Sequence, residues 1–81
     1  MPSYLVEAYL PAEPGLLEVA RGRARRTEEL AEDVRYLRTT FVPADETCFH
    51  LFQAPSSALL GDAARRASLE HVRIVEALET P

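Results

Sequence analysis

The sequence predicts an α+β fold in which a four-stranded antiparallel sheet packs against two helices. Segments with alternating apolar residues and segments with apolar residues at helical spacing follow one another in the order β-α-β-β-α-β. Clusters of proline, glycine and serine separate these segments and mark the turns between them. The chain has 81 residues, 47% of which are hydrophobic, and this length suits one domain with one core. We therefore expect residues 1–81 to form a single domain.

The first strand and the first helix are predicted on either side of a turn that contains two prolines. Ser3–Leu10 alternates at the strand period. Pro14–Glu32 is predicted to be a helix, because Pro14 suits a first helical turn and the apolar residues that follow recur at the helical period. Gly22 lowers the helical preference of this segment by about 1 kcal/mol relative to alanine.

The middle of the chain predicts a β-hairpin. Val34–Val42 is rich in β-branched and aromatic residues, which favour strands, and Thr47–Gln53 has a similar composition. The connection Pro43–Glu46 is short and has the composition of a turn. The two strands are therefore expected to pair as neighbours.

The end of the chain predicts a second helix, Ser56–Ser68, and a last strand, Val72–Leu78. Pro55 and the serines after it mark the start of the helix. The whole order is that of the ferredoxin-like fold, two βαβ halves with both helices on one face of the sheet. A chain this short has a small core, and Cys48 is its only cysteine. We therefore expect the uncovered face of the sheet to pack against a second copy.

The uncovered face is expected to carry the functional groups. Side chains alternate between the two faces of a strand, and we assign the more apolar side of each strand to the helices. The residues assigned to the uncovered face are Leu5, Glu7, Tyr9, Val34, Tyr36, Arg38, Thr40, Val42, Cys48, His50 and Phe52. The orientation of the fourth strand, which carries Glu76, stays open. Such a mixed face suits a homodimer whose sheets enclose a small cavity, with Tyr36, Arg38 and Glu76 as candidate lining residues. The alternative is an interface of paired polar groups without a ligand.

Cys48-Phe49-His50 is the sharpest local motif. A spacing of two on a strand places the sulfur and the imidazole on the same face, within reach of one ion. Thiolate and imidazole favour nickel, zinc or copper, and Glu7 is the best candidate for an oxygen donor. A second subunit or water would complete the site. From spacing alone, a buried thiol beside a hydrogen-bonded histidine is the simpler interpretation.

Two catalytic interpretations use the same residues. Cys48 and His50 could form a nucleophile–base pair oriented by Glu7 or Glu76, although same-face neighbours on a strand seldom point at each other. In a dimeric ferredoxin-like barrel enzyme, Tyr36, Arg38, Glu7 and His50 would instead bind or protonate a small organic substrate.

Composition excludes several classes of function. Nine basic and 13 acidic residues give a net charge of −4, which disfavours nucleic-acid binding. No run approaches the roughly 20 apolar residues of a membrane span, and no signal peptide is evident. A lone thiol suits the cytoplasm. The arginines of the first helix alternate with acids, as on a solvated face. We expect a cytoplasmic protein with neither a nucleic-acid nor a membrane partner.

Five segments resemble a family of small bacterial proteins classed as a domain of unknown function. They are Tyr4–Glu7, Val34–Pro43, Cys48–Phe52, Ala54–Ser56 and Arg73–Leu78. One member of that family is described as a nickel-binding, dimeric protein with a ferredoxin-like fold. The resemblance implies a cytoplasmic homodimer that binds nickel. Relatives often carry Cys-Phe-Cys at positions 48–50 and an acid where Gln53 stands, so the metal ligands named above come from side-chain chemistry and not from the family.

The leading hypothesis is therefore a small dimeric protein that binds nickel or another divalent transition metal. Its donors are predicted to be Cys48, His50 and Glu7. The alternatives are a barrel enzyme of monooxygenase or isomerase type that acts on a small organic molecule, and an interaction module without a ligand.

Overall fold

The computed structural model describes all 81 residues and has the predicted order of elements. The elements are β1 (Ser3–Tyr9), α1 (Leu16–Glu29), β2 (Arg35–Val42), β3 (Thr47–Gln53), α2 (Ser57–Arg66) and β4 (Arg73–Ala77), with a short 3₁₀ turn at Pro43–Asp45. All neighbouring strands are antiparallel and lie in the order β2-β3-β1-β4. This is the ferredoxin-like α+β arrangement that the sequence predicts.

Both helices begin later than their sequence signals suggest. Gly15 has a φ of 88°, a left-handed conformation that side chains with a Cβ rarely adopt, so α1 begins after Gly15 and not at Pro14. Ser56 stays extended and caps α2, because its hydroxyl accepts a hydrogen bond from the Leu59 amide at 3.2 Å. Neither helix is long and apolar enough to cross a membrane.

The core lies between the two helices and one face of the sheet. Nine buried residues form it: Tyr4, Val6, Ala24, Val34, Phe52, Ala54, Leu60, Ala64 and Leu69. Ala24 comes from α1 and Leu60 from α2, while Val6 and Phe52 come from the two central strands. Since both helices meet the same strand side chains, both cover the same face of the sheet.

The predicted face of β3 is wrong. In the pairing of β1 with β3, Cys48 lies opposite Ala8 and His50 lies opposite Val6, so both face the helices. Phe52 faces the helices as well and is fully buried. The prediction failed because β3 is apolar on both sides, and the alternation of its residues does not show which side the helices cover.

A bulge in β2 explains a second error. Tyr36 pairs with Phe52 and Arg38 pairs with Leu51, so Leu37 is an extra residue in the strand. Strict alternation would put Tyr36 and Arg38 on the same face, but the bulge puts them on opposite faces. Tyr36 packs against the core and Val34 belongs to it, whereas both were predicted to be uncovered.

The uncovered face keeps the rest of its predicted residues. Those in register on that side are Leu5, Glu7, Tyr9, Arg38, Thr40 and Val42, joined by Phe49, Leu51, Arg73 and Val75. Arg73 pairs with Glu7 at 2.8 Å, and Arg38 pairs with Glu79 at 2.6 Å. The second pair joins β2 at one edge of the sheet to the segment after β4 at the other edge. It thereby spans the two central strands.

Candidate functional site

Cys48 and His50 lie side by side and both line one cavity. Both side chains are fully buried on the helix-facing side of β3. The sulfur lies 3.5 Å from Nε2 of the imidazole, closer than its 4.0 Å from Nδ1. The spacing of two along the strand therefore brings the two donors into direct contact, as the sequence predicted.

A hydrogen-bonded chain orients the imidazole. Thr39 lies opposite His50 across the β2–β3 pair, and its hydroxyl lies 2.7 Å from Nδ1. The hydroxyl of Tyr36 lies 2.5 Å from that of Thr39. With Nδ1 held by Thr39, Nε2 is directed at Cys48, which fixes which nitrogen meets the sulfur.

Burial keeps both groups neutral. Desolvation lowers the pKa of His50 from 6.5 to about 4, and it raises the pKa of Cys48 from 9.0 to about 11. At neutral pH the pair is a thiol beside an uncharged imidazole, not a thiolate beside an imidazolium. A nucleophile needs the thiolate, so this arrangement disfavours the nucleophile–base interpretation. An uncharged imidazole is the form that binds metals, whereas the thiol of Cys48 would have to lose its proton to do so.

The cavity has a volume of about 250 Å³ and lies between α1, the end of β1 and the segment after α2. Its walls are mostly apolar, with Tyr9, Leu16 and Val19 among them. The sequence analysis did not identify this cavity, because its walls come from segments that are far apart in the chain.

Two charged residues of opposite sign line the same cavity without an ion-pair partner. Arg23 of α1 and Glu70, which follows α2, are both exposed and both border the cavity. Neither takes part in any of the six salt bridges of the chain. Most other arginines of the chain are paired. No sequence motif distinguishes Arg23 from its neighbours in the arginine-rich helix.

The structure does not bring Glu7 to the Cys48–His50 pair. Glu7 lies opposite Phe49 on the other face of the sheet, and its carboxylate accepts a hydrogen bond from Nε of Arg73. No group of three or more histidine, cysteine, aspartate or glutamate side chains is arranged to hold a metal ion. The prediction that Glu7 supplies an oxygen ligand beside Cys48 and His50 is therefore wrong.

The predicted cavity residues are also separated. Arg38 lines a depression of about 270 Å³ on the uncovered face, together with Glu79. Tyr36 lies on the helix-facing side, and Glu76 is exposed in the edge strand β4, in register with Tyr4. Glu7 and Arg38 thus lie on one side of the sheet and Tyr36 on the other. The residue set of the barrel-enzyme hypothesis does not line one cavity.

The sulfur and the nitrogen are spaced as two corners of a tetrahedral metal site. Zinc binds sulfur at about 2.3 Å and imidazole nitrogen at about 2.0–2.1 Å, so two tetrahedral corners lie about 3.5 Å apart. A right-angled arrangement, as in square-planar nickel or copper sites, would bring them to about 3.1 Å. The observed separation of Sγ and Nε2 is 3.5 Å. The two atoms therefore lie at a spacing shared by a thiol–imidazole hydrogen bond and by two ligands of a tetrahedral ion.

Comparison with known proteins supports the fold. No family model matches the chain, and no curated protein matches it. The crystal structure of SCO4226 from Streptomyces coelicolor A3(2) is similar, with a TM-score of 0.78 over 98% of this chain and 99% of that one. The two sequences are 18% identical, so the likeness shows the ferredoxin-like α+β fold alone.

Proposed function

We propose that the protein binds a divalent transition-metal ion through Sγ of Cys48 and Nε2 of His50. The observation that carries this proposal is the 3.5 Å contact between the two atoms at the wall of a cavity. In the metal-free protein the thiol can donate a hydrogen bond to Nε2, and the metal would replace that proton. Thr39 supports the proposal, because metal-binding histidines usually have their second nitrogen held by a hydrogen bond.

Two metals have separate support. Nickel is the metal that the family resemblance implies, while the separation of the two donors is close to that of two ligands in a tetrahedral zinc site. Copper shares the preference for thiolate and imidazole. We propose the two ligand residues and leave the preferred metal to experiment. Titration with each metal ranks the affinities of the protein for nickel, zinc and copper.

We also propose that the uncovered face packs against a second copy of the chain. Leu5, Phe49 and Val75 give this face a half-buried apolar centre. Glu7 pairs with Arg73 and Arg38 pairs with Glu79 on this face, while the unpaired Arg35 lies at its margin, beside Gln53. The depression beside Arg38 would then be enclosed between the copies.

A site that uses a thiol ligand also favours the cytoplasm. Cys48 is unpaired and buried, and thiols stay reduced in that compartment. The proposed metal site lies on the opposite side of the sheet from the proposed dimer contact. Metal binding and dimerisation should therefore be separable by mutation.

The metal proposal is tested by calorimetric titration of the protein with NiCl₂ and with ZnCl₂. The Cys48→Ser, His50→Ala double variant should lose measurable binding, since it lacks both donors. The control is His71→Ala, which removes the other histidine and should leave the affinity unchanged. Circular dichroism checks that each variant is folded. Unchanged affinity in a folded double variant would remove these two residues from the proposal.

A further inference from the structure

We infer that the cavity lined by Cys48 and His50 binds a small neutral aromatic molecule, of one ring or two fused rings. This binding activity goes beyond the proposed metal site, because it requires neither a metal ion nor a thiolate. The way the cavity is built, its volume and the chemistry of its wall support this inference.

The cavity exists because the first half of α1 does not pack tightly on the sheet. Leu16, Val19 and Ala20 line the cavity at helical spacing. Further along the same helix, Ala24 and Thr27 are fully buried. The inner side of α1 therefore lines an open space near its start and packs closely near its end.

Small side chains keep this space open on the side of the sheet. Ala8 of β1 lies opposite Cys48 of β3, and both are buried, yet neither belongs to the nine-residue core. Ala20 is the small residue that α1 contributes to the wall. Protein interiors hold few voids larger than a water molecule. A space formed by small residues on three elements therefore has the character of a binding site.

The volume of the cavity suits a ligand of one or two rings. It is about 250 Å³. An apolar cavity of about 150 Å³ holds benzene, whereas sites for drug-sized ligands have about 300–1,000 Å³. A fused two-ring molecule such as indole lies between these limits.

The wall favours a neutral ligand. Cys48 and His50 contact each other, and Nδ1 of His50 meets the hydroxyl of Thr39, so no buried side-chain nitrogen or oxygen lacks a partner. The two charged residues of the wall, Arg23 and Glu70, are exposed and of opposite sign, so they add no net charge. An ionised ligand would lose its hydration without gaining a buried counter-charge.

The composition of the wall also favours an aromatic ligand over an aliphatic one. The sulfur of Cys48 borders the cavity, and sulfur makes favourable contacts with aromatic rings. The rings of Tyr9 and His50 border it as well, and aromatic pairs are more favourable than their buried area alone accounts for. Tyr9 is 65% exposed and Val19 is 50% exposed, so a ligand would cover apolar surface that now meets water.

Fluorescence titration of indole with metal-free protein in EDTA tests this inference. The chain contains no tryptophan, so indole can be excited selectively. Its emission should shift to shorter wavelength as protein is added, and binding should saturate at one indole per chain. Three molecules of similar size then compete with indole. Benzyl alcohol should displace it several-fold more effectively than cyclohexylmethanol, which is aliphatic, or benzoate, which is ionised.

Val19→Asn should weaken indole binding several-fold, because it makes part of the apolar wall polar. The matched control is Leu59→Asn, since Leu59 is 52% exposed in α2 and does not border the cavity. Ala20→Leu should abolish binding by filling the cavity, whereas Ala58→Leu, at an exposed position of α2, should not. Circular dichroism checks that each variant is folded.

The inference is overturned if the folded wild-type protein does not bind indole, or if Val19→Asn and Leu59→Asn bind it equally well. Displacement by cyclohexylmethanol or benzoate that equals displacement by benzyl alcohol would also overturn it. Because these titrations exclude metal, they can fail while nickel or zinc still binds, and they can succeed while neither metal binds.

Discussion

Burial determines the chemistry of His50 more than any charged neighbour does. Its ring is fully buried between Cys48 and Thr39, and desolvation is the cause of its lowered pKa. The spacing Cys48-x-His50 could be read from the sequence, because strand geometry alone brings such residues together. The role of Thr39 could not, because it depends on a bulge two residues earlier in the partner strand.

The first residue-level prediction concerns acid stability. The unfolded chain protonates His50 near pH 6.5, whereas the folded protein resists protonation down to about pH 4. The unfolded state therefore binds more protons in this window, and stability falls as the pH drops from 6.5 to 4. The loss should approach about 3 kcal/mol. Urea unfolding of metal-free protein measures it, and His50→Gln should be less pH-dependent in this window than His71→Gln.

The second residue-level prediction concerns Thr39 as a positioning residue. Thr39→Val removes the hydrogen bond to Nδ1 of His50, which should destabilise the fold by about 1 kcal/mol. It should also weaken metal binding by about 10- to 100-fold, as loss of such outer contacts does. The neighbouring Thr40→Val is the matched control, because Thr40 faces the uncovered side opposite Phe49. Equal metal affinities for the two variants would contradict the role of Thr39.

At the scale of elements, local chemistry accounts for what the sequence predicted well. β3 has the predicted bounds, and the helices differ only at their ends. The ends shifted where one residue's backbone conformation decides, as Gly15 does before α1. The bulge at Leu37 could not be predicted from the sequence, because no glycine or proline marks its position. The helices and strands could be predicted from the composition of each segment and the spacing of its apolar residues. The pairing register of a strand could not, because it depends on the neighbouring strand.

The cap of α2 gives a prediction at this scale. Ser56→Ala removes the oxygen that accepts from the Leu59 amide, so it should lower the free energy of unfolding by about 1 kcal/mol. Ser57→Ala is the control, because Ser57 is already helical and exposed. Chemical denaturation compares the two. A larger loss in Ser57→Ala would show that the helix begins elsewhere.

At the scale of the molecule, the sheet separates two surfaces with different chemistry. The helix-facing side carries the thiol, the imidazole and the cavity, whereas the other side carries apolar groups and two ion pairs. The sequence analysis merged these surfaces into one, because β3 is apolar on both sides. That single error also placed Glu7 beside Cys48.

The proposed dimer gives a prediction at the same scale. Phe49→Asp should convert a dimer into a monomer in light scattering, because it places a charge in the apolar centre of the uncovered face. Metal affinity should stay within about twofold, since the donors lie on the other side of the sheet. Leu37→Asp is the control, because Leu37 is an exposed apolar residue of the bulge. A monomeric wild-type protein at micromolar concentration would contradict the proposal.

X-ray absorption spectroscopy of the protein loaded with one equivalent of zinc tests the central claim most directly. The account predicts one sulfur neighbour at about 2.3 Å and nitrogen or oxygen neighbours, one of them imidazole, at about 2.0–2.1 Å. The sulfur neighbour should disappear in Cys48→Ser. A zinc ion surrounded only by oxygen and nitrogen in the wild-type protein would contradict the claim that Cys48 and His50 form a metal site.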